Sequence, residues 1–173
     1  MTGKGITSET GLNIYELESD LKIEGDLPYL YIHGWNGKKI ECEGDITLQG
    51  NQSIDGSIMV NGNLNIDGTM NMVDDARMII EKDMILNPSS AERFSVGKGR
   101  IEVGGDFNSQ YPASLKMEDE SGYILVNGNL NIDNCNYSGQ SYLCAGTLEV
   151  KGDFTEDISD YDLSLIHISE PTR

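Results

Sequence analysis

Histidine is almost missing from this 173-residue chain, which holds only His33 and His167. A serine or cysteine nucleophile needs a neighbouring base, so the shortage leaves triad chemistry nearly without a candidate. Cysteine is scarce as well, with three residues, and no further Cys or His stands at the spacing of a metal site. Basic residues number 12 against 29 acidic ones, a formal net charge of −17. Nucleic acids and anionic membrane surfaces both require basic patches, so neither is an expected partner. No apolar run approaches the ~18 residues of a membrane span, and no membrane insertion is expected. Sustained 3.6-residue periodicity, the mark of a helix, is absent too; Asn87–Arg93 offers a single helical turn at most.

Residues 163–173 read Leu-Ser-Leu-Ile-His-Ile-Ser-Glu-Pro-Thr-Arg. They match, residue for residue, the translation of a transposon end and adapter used in a common DNA-library method. The segment is expected to be a non-native, adapter-derived tail, with 158–162 a truncated continuation of what precedes it. His167 then drops out of consideration, and His33 is the one imidazole left. The tail carries one acid and one base, so the balance of −17 is unchanged without it.

What the chain does contain is a repeat. The pattern apolar–x–Gly–Asp/Asn–apolar occurs at Ile23–Leu27, Cys42–Ile46, Val60–Leu64, Ile80–Met84, Val103–Phe107, Val126–Leu130 and Val150–Phe154, with Lys82 replacing glycine in the fourth copy. The copies begin 18 to 24 residues apart. A turn signal recurring at one rung's length of chain defines a solenoid, whose coils bury one another's apolar side. Around each copy apolar and polar residues alternate, as in strands with one buried face. Leu21, Ile40, Ile58, Met78, Ile101, Ile124 and Leu148 precede the motif by two positions and point inward with its first residue. A second strand starts at Leu27, Ile46, Leu64, Met84, Phe107, Leu130 and Phe154. Leu30-Tyr-Ile32, Met70-Asn-Met72, Phe94-Ser-Val96 and Leu115-Lys-Met117 are expected to supply a third. The reading is an all-β parallel β-helix of about seven coils, three short strands per coil, stacking roughly 34 Å of axis at about 4.8 Å per rung. Residues 1–20 form an N-terminal cap or atypical first coil, and 21–157 the solenoid. The Gly–Asp/Asn pair is expected to turn each corner through positive backbone angles. At Lys82 the corner should change turn type or be strained by about 1 kcal/mol.

Four sets of residues are candidates for function. Asp26, Asp45, Asp83, Asp106 and Asp153, with Asn63 and Asn129 between them, fall in one corner column. Neighbouring charges at that spacing repel by about 1 kcal/mol in water, so the column either simply forms corners or also binds calcium. Tyr29, Tyr31 and His33 alternate with inward Leu30 and Ile32, and Trp35 follows; this aromatic strip is the best ligand candidate, for a glycan, with structural packing as the other reading. Cys135 and Cys144 could close a disulfide, whereas Cys42 fills an Ile/Val column and reads as a buried small hydrophobe. Asp74-Asp75 and Glu118-Asp119-Glu120 are loop acids that could be paired for glycoside hydrolysis, or merely solvated charge.

Tyr123–Ile132 and Gly146–Thr155 resemble the repeat region of very large secreted or surface-attached bacterial proteins, where "VNGDL"-like segments alternate with "GTLEVKGDF"-like ones. That resemblance covers about 21–157 and implies an adhesin-like extracellular scaffold, with activities carried by other domains; it transfers no site residues. A weaker similarity runs to bactofilins, cytoskeletal solenoids that polymerise end to end. The expectation is a non-catalytic structural or binding scaffold of a bacterial surface or secreted protein, without a cofactor unless calcium, and with a glycan or cell-surface protein as partner. The alternatives are a cytoplasmic bactofilin-like polymer and a β-helix polysaccharide lyase or hydrolase. Solenoid ends expose unpaired strands, so self-association through the uncapped coils is expected.

Overall fold

The computed structural model describes residues 10–87, 93–110, 113–133 and 142–157, and all regular structure among them is strand. β1 is Leu12–Glu16; β2 and β3 are Leu21–Ile23 and Leu27–Gly34. Next come β4 (Lys39–Cys42), β5 (Ile46–Gln49), β6 (Gln52–Ile54), β7 (Ser57–Val60), β8 (Leu64–Asp67) and β9 (Met70–Met72). β10 (Arg77–Ile80), β11 (Met84–Leu86), β12 (Arg93–Ser95), β13 (Arg100–Val103), β14 (Phe107–Ser109) and β15 (Ser114–Met117) follow. The last five are β16 (Tyr123–Val126), β17 (Leu130–Asp133), β18 (Tyr142–Leu143), β19 (Thr147–Val150) and β20 (Phe154–Asp157). Sheet A stacks β2-β4-β7-β10-β13-β16-β19, sheet B stacks β1-β3-β5-β8-β11-β14-β17-β20, and sheet C stacks β6-β9-β12-β15-β18. Every pairing is parallel. The chain is therefore a β-solenoid of about six turns around three sheets.

The repeat spacing dictates this because equivalent side chains must lie one rung apart. Ile40, Ile58, Met78, Ile101, Ile124 and Leu148 are partners in register along sheet A, as are Cys42, Val60, Ile80, Val103, Val126 and Val150. Ile46, Leu64, Met84, Phe107, Leu130 and Phe154 do the same in sheet B. The interior members are fully buried and form one continuous core. At about 1.5–3 kcal/mol per buried Ile, Leu or Phe side chain, these columns are the main stabilising term. In the last described coil Leu148, Val150 and Phe154 are only partly buried. Within residues 1–20, β1 is itself a rung, pairing with β3 at Leu12↔Leu30 and Ile14↔Ile32.

The first coil departs from expectation. Leu30-Tyr-Ile32 is not a third-sheet strand; it extends β3, which stays in sheet B for eight residues. Its pairing with β5 jumps from Leu27↔Ile46 to Leu30↔Leu48. The extra residue is absorbed at Pro28-Tyr29, a bulge where proline needs no ladder partner. Sheet C begins one coil later with β6, whose inward Gln52 masked its strand character in the sequence. That glutamine completes the first coil. Its Oε1 accepts from the Ile32 amide (3.2 Å) and the Trp35 indole N–H (3.1 Å), and its Nε2 donates to the Leu30 and Gln49 carbonyls (3.0 and 2.8 Å). All four bonding positions of a buried amide are thereby used. Trp35 is 1% exposed and fills the core beneath sheet C.

Phe107→Ala should cost about 3–5 kcal/mol in urea unfolding, since the residue is fully enclosed mid-stack. Ile85→Thr, on the outward side of the adjoining rung, should change stability by about 0.5 kcal/mol or less; equal costs would mean the two faces are misassigned. Gln52→Leu strands two buried donors and should cost about 2–4 kcal/mol. Because Trp35 is the only tryptophan, its emission should shift red in that variant, and an unshifted spectrum would contradict the role given to the amide.

Candidate functional site

The corner column is a hydrogen-bond ladder. Asp26 Oδ1 accepts the backbone N–H of Asp45 (2.8 Å), and Asp45 Oδ1 that of Asn63 (2.7 Å). Asn63 accepts from Asp83 (3.2 Å), Asp83 from Asp106 (2.8 Å), Asp106 from Asn129 (2.7 Å) and Asn129 from Asp153 (2.8 Å). Each side chain thus satisfies the next corner's backbone donor. The glycine before each acceptor has a different purpose from the one expected. Positive φ occurs at Gly25 alone among the motif glycines. At Gly44, Gly62, Gly105, Gly128 and Gly152 a Cβ would instead collide with the Asp or Asn oxygen of the preceding coil. Gly25 follows no earlier motif copy and has open space there. Lys82 is not in a positive-φ conformation, so the strain expected there is absent; the ladder link beside it is the longest of the six.

The ladder gives these side chains a structural use that is independent of calcium. The Oδ1 atoms of Asp26, Asp45, Asp83 and Asp106 each accept a backbone N–H one rung away. Asp153 adds no further acid, since Asn129 lies between it and Asp106. Among the described residues no group of three His, Cys, Asp or Glu is placed to hold a metal ion. Asp45 also receives both Asn63 Nδ2 contacts, at 3.2 and 3.1 Å. The Asn63 backbone N–H holds the Asp45 carboxyl below the usual range; burial opposes it, and the Asn63 side chain and the charge of Lys82 add smaller effects in the lowering direction.

The aromatic strip is partly assembled and partly corrected. Tyr31 and His33 lie on the outer face of sheet B with ring centroids 4.4 Å apart. Tyr15, from β1, joins them at 5.3 Å from His33 and is 77% exposed. Tyr29 lies at the bulge, 37% exposed, its ring against the backbone of Gly11, where a Cβ would run into it. Trp35 does not belong to this surface, because its indole is buried and bonded to Gln52. Tyr15 was the residue missed. Its signal was present: Leu12 and Ile14 alternate with Asn13 and Tyr15 as Leu30 and Ile32 do with Tyr31 and His33.

The remaining candidates stay apart from this patch. Cys42 is buried, its Sγ 3.5 Å from the Gly25 and Gly44 carbonyls, and burial raises its pKa. Such a thiol is an unreactive core residue. The Cys135–Cys144 pairing lies outside the described residues at Cys135; the Cys144 thiol is exposed. Asp74, at φ 52°, and Asp75 are exposed at a turn. Asp119 Oδ1 accepts from the Ser121 amide at 2.9 Å, a local turn bond, between exposed Glu118 and Glu120. On sheet A, Lys22 and Lys39 border a shallow hollow of about 250 Å³, yet they are paired with Glu43 and Glu41 at 2.7 and 2.5 Å.

The chain matches no family model, no curated protein and no solved structure.

Acid should loosen the corners. Because Asp45 has a depressed folded pKa, its stabilising contribution is complete above its unfolded value of about 3.9 and is lost as pH falls through the lower folded one. Asp45→Asn keeps an acceptor oxygen and should flatten the part of the acid limb below about pH 4 due to this residue, while Asp45→Ala should cost about 0.5–1 kcal/mol at neutral pH, comparable with losing a helix cap. Identical acid unfolding curves for wild type and Asp45→Asn would show that the carboxylate contributes nothing.

Proposed function

We propose that this chain is a non-catalytic repeat scaffold of a bacterial surface or secreted protein, and that it binds glycan through the exposed rings on sheet B. The observation that carries the binding reading is the Tyr15–His33–Tyr31 cluster. Three rings from two neighbouring rungs share one outer face, and the largest of their exposures, at Tyr15, belongs to a side chain a monomeric fold gains nothing by displaying. An aromatic ring offers a flat apolar face with a polar rim, suited to the C–H face of a sugar. Rigid strands hold the rings, so little ordering entropy is lost on contact. The scaffold reading is supported by the solenoid itself, in which coils add length without altering the core, and by the likeness of its repeats to those of large surface proteins.

Glycan-array retention of the purified chain is the direct measurement. Tyr15→Ala and Tyr31→Ala should each lower retention by about three- to tenfold, the range of one lost aromatic contact, with the melting temperature unchanged for the first. Trp35→Ala would act through loss of the first coil and is not informative about contact. Retention that survives both tyrosine changes would remove the aromatic patch from the function.

A further inference from the structure

The strands of the three sheets divide the basic residues unequally. Lys22, Lys39, Arg77 and Arg100 lie on strands of sheet A, and Arg93 and Lys116 on strands of sheet C. The strands of sheet B carry no Lys or Arg. Lys82 and Lys151 stand at corners where the chain enters that sheet, whereas Tyr31 and His33 stand toward the end where it leaves. Acids are placed differently. Leu30↔Leu48 sets Tyr31 beside Gln49, and Gln49 pairs with Asp67. A carboxylate therefore follows Tyr31 in its own outward column two rungs on, about 10 Å at about 4.8 Å per rung. β17 repeats the Leu-Asn-Ile-Asp of β8 and brings Asp133 to the same position. The Tyr31 ring lies over Gly50, where a Cβ would come 3.0 Å from it. Glycine there lets the ring lean onto the next rung, in the direction of Asp67.

We propose that the glycan taken by the Tyr15–His33–Tyr31 patch is an amino sugar whose amine is unacetylated and protonated. This rests on the glycan reading above and names the class of sugar. A pyranose stacks its C–H face on the rings. Its ammonium is attracted by the negative face of a tyrosine ring, and the ammonium of a following sugar by the Asp67 carboxylate. On sheets A and C a bound ammonium would meet lysine or arginine, and on the strands of sheet B it meets neither. The net charge of −17 draws cations toward the molecule as a whole; the rings give them a place to stop. The same field disfavours sugars that carry carboxylate or sulfate. Charge thus selects among sugars that aromatic stacking alone would not tell apart.

The test titrates three trisaccharides calorimetrically into the full chain near neutral pH: chitotriose with its amines free, the same trimer N-acetylated, and trigalacturonate. The free-amine trimer should bind about three- to tenfold tighter than the acetylated one, and trigalacturonate more weakly than either. Added salt should shrink the difference. Asp67→Asn should bring the two chitotriose affinities to within about twofold of each other. Tyr15→Ala and Tyr31→Ala should each weaken binding of the free-amine trimer, which separates the patch from diffuse attraction to an acidic chain. Unchanged melting temperatures for Asp67→Asn and Tyr15→Ala check that the variants fold. Equal affinity for the two chitotrioses overturns the amine selectivity while leaving glycan binding in place. A free-amine preference that survives both tyrosine changes overturns the site. Binding of no trimer overturns the inference, and the array above then decides separately whether the patch takes another glycan.

Discussion

Parallel stacking at one rung's spacing is the constraint from which the rest of this molecule follows. A coil of some twenty residues has too little interior of its own to be stable, and only the coil above and the coil below complete its burial. The interior must therefore repeat in register, and Ile, Val, Leu and Met recur at the same places for that reason. The backbone ladders satisfy the strands. The corners, where strand pairing lapses, need another device, and the Asp/Asn side chains supply it. Burial and polar satisfaction are solved by the same repeat, one on each side of the corner.

Most of the architecture was legible because period is written directly in sequence. The two inward positions before each corner and the first after it could be named residue by residue, and they line the core. Corner glycines were visible too, but the reason for them was not. A sequence shows that glycine precedes Asp or Asn; it does not show that the oxygen of the previous coil lies where a Cβ would go. That is a relation between residues about twenty apart, and it emerges only when coils are superposed. Lys82 carried the hint, since a corner that needed positive φ would have resisted lysine.

The first coil was the least legible part, and the cause is a single bulge. Once Pro28-Tyr29 adds its extra residue, alternation resumes in the same sheet, and the segment that looked like a third strand is a continuation of the second. Trp35 then falls inward. A polar residue, Gln52, takes a core position because the coil beneath has no strand to offer it a backbone partner. Tyr15 was hidden for another reason: residues 1–20, read as a cap or an atypical first coil, carry no register in the sequence, so its outward ring could not be aligned with Tyr31 and His33. Surface patches on a solenoid are assembled from neighbouring coils, and their membership is only as good as the register.

The corner ladder also has a direction. Every acceptor belongs to the earlier coil and every donor to the later one, and each junction repeats the terms of the one before. Duplicating or deleting a whole turn in the gene would leave the new neighbours facing the same kind of partner they had already. Such a protein can change its length by unequal recombination without inventing a new contact.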